Sequence, residues 1–269
     1  MVGFEKNSGY WLSAENICQH LPNKLRGTEI EVFETIDSTN ANAKAFLLSG
    51  GEVARLVLAE EQTAGRGRRG KSFYSPKGTG LYMSLALPKK EEQGGTQLVT
   101  IAAAVAVCRA LEELFELRPG IKWVNDIYLG GKKLCGILCE TASRPESGEF
   151  AGIIIGVGVN CTTKEYPREL SGLAASIGNE AVDRNRLAAE ITARLFEVFS
   201  EQRTDVLEEY RRRSLMEGKR VHFERSGMLC QGKVLGVGEN GDLQIFTDDG
   251  ERISLNSGEV SVECLSDWS

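Results

Sequence analysis

Between Gly120 and Asn160 the chain reads as three β-prone runs in close succession, IKWVNDIYL, KLCGILCE and FAGIIIGVGVN. Gly130, Gly131 and Lys132 separate the first two. A Gly-Gly pair between such runs signals a tight hairpin, because a type I′ turn needs positive φ at both central positions. Strands joined by so short a turn are antiparallel neighbours, so this stretch commits the middle of the chain to a largely antiparallel sheet. With Gly130 and Gly131 as the turn, Lys133 is expected opposite Tyr128, Cys135 opposite Asp126, and Gly136 opposite Asn125. Alternation along each strand then puts Asp126, Tyr128 and Lys133 on one face, with Lys133 diagonal to Asp126. In the third run Gly156 and Gly158 are two apart and share a face. Glycines weaken a strand unless something must lie close to it.

Around this hairpin the patterning predicts a strand over Ile30–Thr35, a helix begun by Asp37-Ser38-Thr39-Asn40 and ended at Gly50-Gly51, and strands over Arg55–Glu60 and Gly80–Leu87. Leu98–Leu117 repeats apolar residues at three and four (Val99, Ala102, Ala103, Ala106, Ala110, Leu114), and Asp183–Arg212 reads as one long helix. After Glu217 only short β runs follow, RVHF, GKVLGV, LQIF and RISL, punctuated by turns such as Glu239-Asn240-Gly241-Asp242. The expected fold class is α+β: a mixed, mostly antiparallel sheet with helices on one side, followed by a small C-terminal β barrel. The expected division is 1–29 as an N-terminal segment, 30–216 as the main domain and 217–269 as the β module.

Composition removes several chemistries. Only two histidines occur among 269 residues, His20 and His222, which argues against a Ser-His-Asp triad and a His-rich zinc site. The seven cysteines (18, 108, 135, 139, 161, 230, 264) are odd in number and form no C-x-x-C pair, so neither a disulfide framework nor a four-thiolate zinc site is expected. Reduced thiols fit a cytoplasmic protein. No secretory signal or apolar run of about 20 residues is present, and a net charge of −6 does not suggest a general nucleic-acid surface. Lys, Arg, carboxylates and backbone must do the chemistry.

The most basic stretch, Gly65-Arg66-Gly67-Arg68-Arg69-Gly70-Lys71-Ser72, satisfies the Walker A spacing. A P-loop needs a helix starting at its lysine, so that backbone N–H groups and the helix dipole face the phosphates. Phe73-Tyr74-Ser75-Pro76 follows instead, and the reading fails. A solvated basic loop is the ordinary alternative. The glycine spacing favours a loop that wraps an anion, with arginine forks suited to carboxylate and phosphate, and mobile until that anion arrives. Asp37–Asn40 serves equally as a helix cap or as a polar clamp for a neutral head group.

DSTN at Asp37–Asn40, EEQTAGRGRRG at Glu60–Gly70, KWVND at Lys122–Asp126, KKLCGIL at Lys132–Leu138 and GVGVN at Gly156–Asn160 stand in order. Together they resemble the biotin–protein ligase family over roughly residues 30 to 265, and the C-terminal β runs resemble its SH3-like domain. The resemblance implies a class II synthetase-like fold and a two-step reaction. ATP and biotin form biotinoyl-5′-AMP with release of pyrophosphate, and the acyl group then passes to a lysine of a biotin carrier domain of a carboxylase. Ser38, Thr39, Asn40 and Gln62 would hold the biotin ring. Arg66, Gly67 and Arg68 would line its carboxylate and the phosphate, with Gly136 and Gly156 lining the pocket. Arg69, Phe73, Lys122, Asn125, Gly158 and Asn160 would line the adenylate beside Arg66 and Arg68. Lys133 and Arg66 would stabilise charge during catalysis, and Asp126 would orient the attacking lysine. Mg²⁺ would come with the ATP phosphates, with no protein residue assigned as its ligand.

Two departures from the family pattern stand out. Val124 occupies a position usually held by proline, and the neighbouring residues are intact. Many bacterial relatives carry an N-terminal DNA-binding domain, whereas about 30 residues precede the core here, and SGYWLSAENICQHLP resembles only its tail and linker. A form without that domain, with no DNA and no membrane among its partners, is therefore expected; a homodimer paired through the sheet is compatible with the resemblance. The competing readings are a lipoate or octanoate ligase, a transferase carrying its acyl group on Cys161, and a non-catalytic biotin sensor.

Overall fold

The computed structural model describes residues 11–89, 96–178, 182–225, 227–256 and 260–262. The first ten residues of the N-terminal segment and Cys264 lie outside the described residues. A seven-stranded sheet is built from β1 (Glu29–Ile36), β2 (Arg55–Gln62), β3 (Gly80–Pro88), β4 (Gly120–Lys122), β5 (Asp126–Leu129), β6 (Lys132–Ser143) and β7 (Phe150–Asn160). The strand order is β1-β2-β3-β7-β6-β5-β4. Among the described strands of this sheet β1 and β2 pair in parallel, joined by the helix Thr39–Leu48 (α2) as a crossover, and the other strand pairings are antiparallel. The mixed, mostly antiparallel sheet read from the sequence is the one observed.

Apolar alternation in the strands feeds two cores. Leu56, Leu58, Leu85, Ile153 and Ile155 point to one face, against α3 (Thr96–Phe115), α4 (Arg184–Val198), and the smaller contributions of α1 (Ala14–His20) and α5 (Arg203–Arg213). Val57, Ala86 and Ile154, each offset by one residue, point to the other face and bury Ala43 and Leu47 of α2. Helices on one side thus describes four of the five α-helices among the described residues, and α2 is the exception. Its first residues, Thr39 and Asn40, line the cavity described below.

The segment before β1 joins the main core through Leu12, Ile17, Leu21 and Leu25, all buried. Its α1 begins at a Ser13 cap. The helix expected over Asp183–Arg212 is two helices. The chain leaves helix geometry between Val198 and Arg203, where Phe199-Ser200-Glu201-Gln202 brings Glu201 onto Arg109 at 2.5 Å. The run IKWVNDIYL is likewise interrupted, because Trp123–Asn125 forms a turn between β4 and β5.

From Arg220 onward the chain forms a five-stranded antiparallel sheet of β8 (Arg220–Arg225), β9 (Met228–Val237), β10 (Leu243–Thr247), β11 (Arg252–Leu255) and β12 (Val260–Val262), ordered β11-β10-β9-β8-β12. Val221, Phe223, Val234, Val237, Leu243, Ile245 and Val260 are buried in the same apolar cluster as the main sheet. The turn at Gly238–Asp242 docks on the first unit. Gly241 O accepts from Trp123 Nε1 at 2.9 Å and from Gln97 Nε2 at 2.6 Å, and Val237 O accepts from Arg211 Nε at 2.7 Å.

Candidate active site

Register determines what faces the cavity. Across the sheet one row runs Lys122–Asp126–Gly136–Gly158–Tyr82, and the next runs Leu138–Gly156–Ser84–Val57. The first row contains two glycines and the second one, so the pleated surface there is bare backbone. Covering side chains use that space. A Cβ on Gly158 would lie 2.5 Å from the ring of Phe73, and one on Gly156 would lie 2.1 Å from Asn40 Oδ1. The shared face expected for Gly156 and Gly158 is present, and protein groups as well as any ligand exploit the close approach.

The hairpin differs from expectation in one residue. Gly130 and Gly131 both have positive φ, 54° and 75°, and Lys133 does face Tyr128. A β-bulge then shifts the register, so that Cys135 faces Ile127 and Gly136 faces Asp126. Leu134 is the extra residue, and Leu134 and Cys135 are both buried in the core. The bulge lets Lys133 and Gly136, three apart, serve the same side of the sheet. Lys133 Nζ reaches Asp126 Oδ1 at 2.7 Å. Apart from this ion contact the buried Oδ1 has no hydrogen-bond partner. Beside Asp126, burial pushes the Tyr128 hydroxyl up to about 12.

The basic loop folds back on itself as a small hairpin. Gly67 N–H donates to Lys71 O at 2.7 Å, Phe73 N–H donates to Gly65 O at 2.9 Å, and Arg69 takes a positive φ of 55°. No helix starts at Lys71, whose backbone is extended, so the helix that a P-loop requires is missing. Arg68 Nη1 donates to Asn125 Oδ1 at 3.4 Å, and Asn125 Nδ2 donates to Ile137 O at 2.8 Å, which fixes the turn between β4 and β5 under the loop. Burial lowers the pKa of Arg68, opposed by the nearby Asp126 carboxylate; an arginine remains a cation throughout.

At the other end, Thr39 directs its N–H and its hydroxyl to Gln62 Oε1 at 2.9 and 3.1 Å, and Gln62 Nε2 donates to Ser75 Oγ at 3.0 Å. Asn40 Nδ2 donates to Glu140 Oε2 at 2.7 Å and to Leu138 O at 3.2 Å. The Asp37–Asn40 cluster does more than cap a helix: the Ser38 side chain makes no capping bond to α2.

These parts enclose a cavity of about 270 Å³. Ser38, Thr39, Asn40 and Gln62 line one end, and Arg66, Gly67, Arg68, Arg69 and Phe73 close over it. Lys122, Asn125, Asp126, Lys133, Gly136, Gly156 and Gly158 line the remainder. Asn160 is placed elsewhere. It lines an adjoining cavity of about 670 Å³, and its Nδ2 donates to Lys133 O at 3.5 Å. Sequence reasoning assigned no site role to Lys71, Ser72, Met83, Trp123, Ile137, Leu138, Val157, Leu170 or Val260, which also line the first cavity. Trp123 lay within the KWVND run and could have been found there. Val260 comes from the second sheet, and nothing local points to it. Missed too was the pairing of Leu173–Ala175 with Lys133, whose N–H donates to Leu173 O and whose O accepts from Ala175 N–H, both at 2.8 Å. Cys161 is buried and its thiol is pushed up to about 12 by that burial, so it offers no thiolate to an acyl group.

Comparison with known proteins agrees with this geometry. The profile of the Biotin/lipoate A/B protein ligase family matches residues 32–160, and that of the Biotin protein ligase C terminal domain matches residues 218–262. The bifunctional ligase/repressor of Bacillus subtilis is 30% identical over 248 residues, covering 89% of this chain and 76% of that protein. The chain belongs to the biotin protein ligase family. The biotin–[acetyl-CoA-carboxylase] ligase of Mycobacterium tuberculosis is 32% identical over 247 residues, 86% of this chain and 88% of that one. Among solved structures, the biotin protein ligase of Aquifex aeolicus in complex with biotin and ATP superposes with a TM-score of 0.71 at 27% identity, covering 87% of this chain and 98% of that chain. Among the described residues no helix is long and apolar enough to cross a membrane.

Proposed function

We propose that this ligase makes biotinoyl-5′-AMP from ATP and biotin in the cavity of about 270 Å³ and passes the acyl group to a lysine of a biotin carrier domain. One observation carries the reading. In a chain of net charge −6, the cavity is lined by six cationic side chains (Arg66, Arg68, Arg69, Lys71, Lys122, Lys133) and a single carboxylate, Asp126. Attack of the biotin carboxylate on the α-phosphate brings two anions together. At 4 Å their repulsion is about 4 kcal/mol at an effective dielectric of 20. Cations already in place offset it without reorganisation.

The residues divide the substrate between them. Thr39, Asn40 and Gln62 offer hydrogen bonds to the neutral ureido ring, and Leu138, Val157 and Met83 offer an apolar wall to the acyl tail. Phe73 covers Gly158 and Gly136, a flat surface suited to a nucleotide base or ribose. Lys133, held by Asp126, stands where it can neutralise the carboxylate and the α-phosphate. In the second step Asp126 Oδ1, paired in this structure with Lys133, can accept a hydrogen from the incoming lysine amine once Lys133 turns to the phosphate.

Mg²⁺ fits this set as an ion brought in by the nucleotide. Asp126 is the carboxylate available to it in the cavity, and no group of three His, Cys, Asp or Glu side chains suited to a metal occurs among the described residues. When bound, the ion would neutralise phosphate charge. A homodimer paired through β1, a terminal strand of the large sheet, belongs to the same proposal. Sedimentation with and without biotin and ATP tests it. For the reaction itself, pyrophosphate release is measured with ATP, Mg²⁺ and either biotin, lipoate or octanoate, without acceptor. Release with biotin alone is expected. Release with lipoate or octanoate instead, or tight biotin binding with no release, would overturn the assignment. The match to the Biotin protein ligase C terminal domain favours biotin over lipoate.

A further inference from the structure

We propose that Tyr210 is a positioning residue for adenylate formation, its hydroxyl holding the turn that presents Lys122 and Asp126 to the nucleotide end of the cavity. The inference deepens the ligase reading proposed above and rests on it. Tyr210 lies on α5, outside the five motifs, and is fully buried. Its hydroxyl donates to Val124 O at 3.2 Å, across 86 residues of chain. Val124 is the middle residue of the turn Trp123–Asn125. On either side of that turn Lys122 and Asp126 face each other across β4 and β5, and both line the cavity. Lys133 Nζ is paired with Asp126 Oδ1 at 2.7 Å, so the turn bears on Lys122 directly and on Lys133 through the carboxylate.

Each residue of the turn is held by a different part of the fold. Trp123 Nε1 donates to Gly241 O, between β9 and β10, at 2.9 Å. Asn125 is bound twice to β6: its Nδ2 donates to Ile137 O at 2.8 Å, and its O accepts from Ile137 N–H at 3.0 Å. Tyr210 takes the carbonyl between them. The mount of its hydroxyl is rigid, because α5 and the chain beyond it are fixed on both sides. Arg211 Nε donates to Val237 O at 2.7 Å, and Leu215 N–H donates to Ile121 O of β4 at 2.9 Å. Burial pushes the Tyr210 pKa well above its ordinary value, and the charges of Arg68 and Asp126 both act on it, so the hydroxyl stays protonated beside groups of the site. Val124 is 3% exposed, so water does not take over when the hydroxyl is lost. A buried carbonyl must then find another donor. Val124 C=O and Asn125 N–H share one peptide plane, and turning the carbonyl turns the amide that leads into Asp126. Asn40 and Gln62, which face the biotin ring, are bonded instead to Ser75, Ser84, Leu138 O and Glu140. Loss of the Tyr210 hydroxyl is therefore felt at the nucleotide end and not at the ring.

Tyr210→Phe keeps the ring and removes the hydroxyl. Thr192→Val is the control for losing a buried hydroxyl elsewhere, since Thr192 is 0% exposed and its Oγ1 donates to Ala188 O within α4. Pyrophosphate release gives kcat and the KM for ATP, and calorimetry gives the affinity for biotin. Tyr210→Phe is expected to lower kcat/KM for ATP at least about tenfold, with the Kd for biotin within about twofold of the parent. Thr192→Val is expected to keep the parent kinetics. Parent-like kcat/KM for ATP in Tyr210→Phe, a parallel loss of biotin affinity, or the same kinetic loss in Thr192→Val would overturn the proposal. If Tyr210→Phe fails to fold, Trp123→Phe releases the bond to Gly241, the other anchor of the same turn, and must show the same split; parent-like kcat/KM for ATP there also overturns it. A parent protein that releases no pyrophosphate with biotin and ATP would overturn the ligase reading and this proposal together. An active parent matched by Tyr210→Phe would overturn this proposal alone.

Discussion

Substituting Gly156 by alanine tests whether the bare rows of the sheet are required by what lies above them. The new Cβ would stand 2.1 Å from Asn40 Oδ1, 2.8 Å from its Cγ and 3.0 Å from its Nδ2. Asn40 cannot step aside cheaply, since it is 4% exposed and held by Ser84, Leu138 O and Glu140. Displacing it leaves buried polar groups unsatisfied, at about 1–3 kcal/mol, and overpacking adds about 1–3 kcal/mol. A loss of about 3 kcal/mol is expected, which for a chain of this size lowers Tm by roughly 6–12 °C. Because Asn40 also lines the cavity, the KM for biotin should rise at least about tenfold, or roughly 1.4 kcal/mol. Thermal unfolding followed by circular dichroism and biotin-dependent pyrophosphate release are the assays, with Gly27→Ala as control, where an added Cβ meets nothing within 4 Å. A Gly156→Ala protein within about 1 °C of the parent Tm, with unchanged KM for biotin, would refute the close-approach argument.

Three further outcomes are expected. Lys133→Ala should lower the rate of biotinoyl-AMP formation by about 10²-fold or more while the circular dichroism spectrum stays that of the parent; a near-parent rate would remove Lys133 from the mechanism. Cys161→Ser should leave pyrophosphate release and acceptor labelling within about twofold, because the buried thiol, pushed up to about 12, is not ionised at neutral pH; a dead variant with intact fold would revive the acyl-cysteine route. Burial opposes ionisation of Glu209, but hydrogen bonds from Arg109 and Arg213 outweigh it and hold its carboxyl below the usual range. Its folded pKa is depressed, so its contribution to stability is present above about pH 4.3, the unfolded value, and is lost as pH falls through the folded value. Glu209→Gln should flatten that acid limb in a pH series of urea midpoints, and an unchanged slope below about pH 4.3 would contradict the assignment.

Much of the site was legible because its groups travel in short runs. Glycine-marked turns and two-residue alternation placed Asp126, Tyr128 and Lys133 on one face from sequence, and the pair at Gly156 and Gly158 announced a close approach without saying what approached. Phe73-Tyr74-Ser75-Pro76 after Lys71 rules out the P-loop helix from the sequence itself. Local pattern could not supply the bulge at Leu134, because a buried leucine satisfies either register and only the packing of Leu134 and Cys135 together under the sheet selects one. Nor could it show that α2 covers the face opposite the other helices, or that Asp183–Arg212 breaks in two where Glu201 meets Arg109.

The sequence by itself determined which strands form, which residues alternate together and how much positive charge the central loop carries, since propensity, periodicity and charge are properties of neighbours in the chain. Tertiary structure alone decided that Asn40, Ser84 and Glu140 form one hydrogen-bonded line, that Trp123 is anchored on Gly241, and that Val260 closes the cavity from the second sheet. The hydrogen bonds among them span 44 to 118 residues. Each exists because a buried polar group or apolar surface must find its partner in the folded interior, wherever that partner lies in the chain.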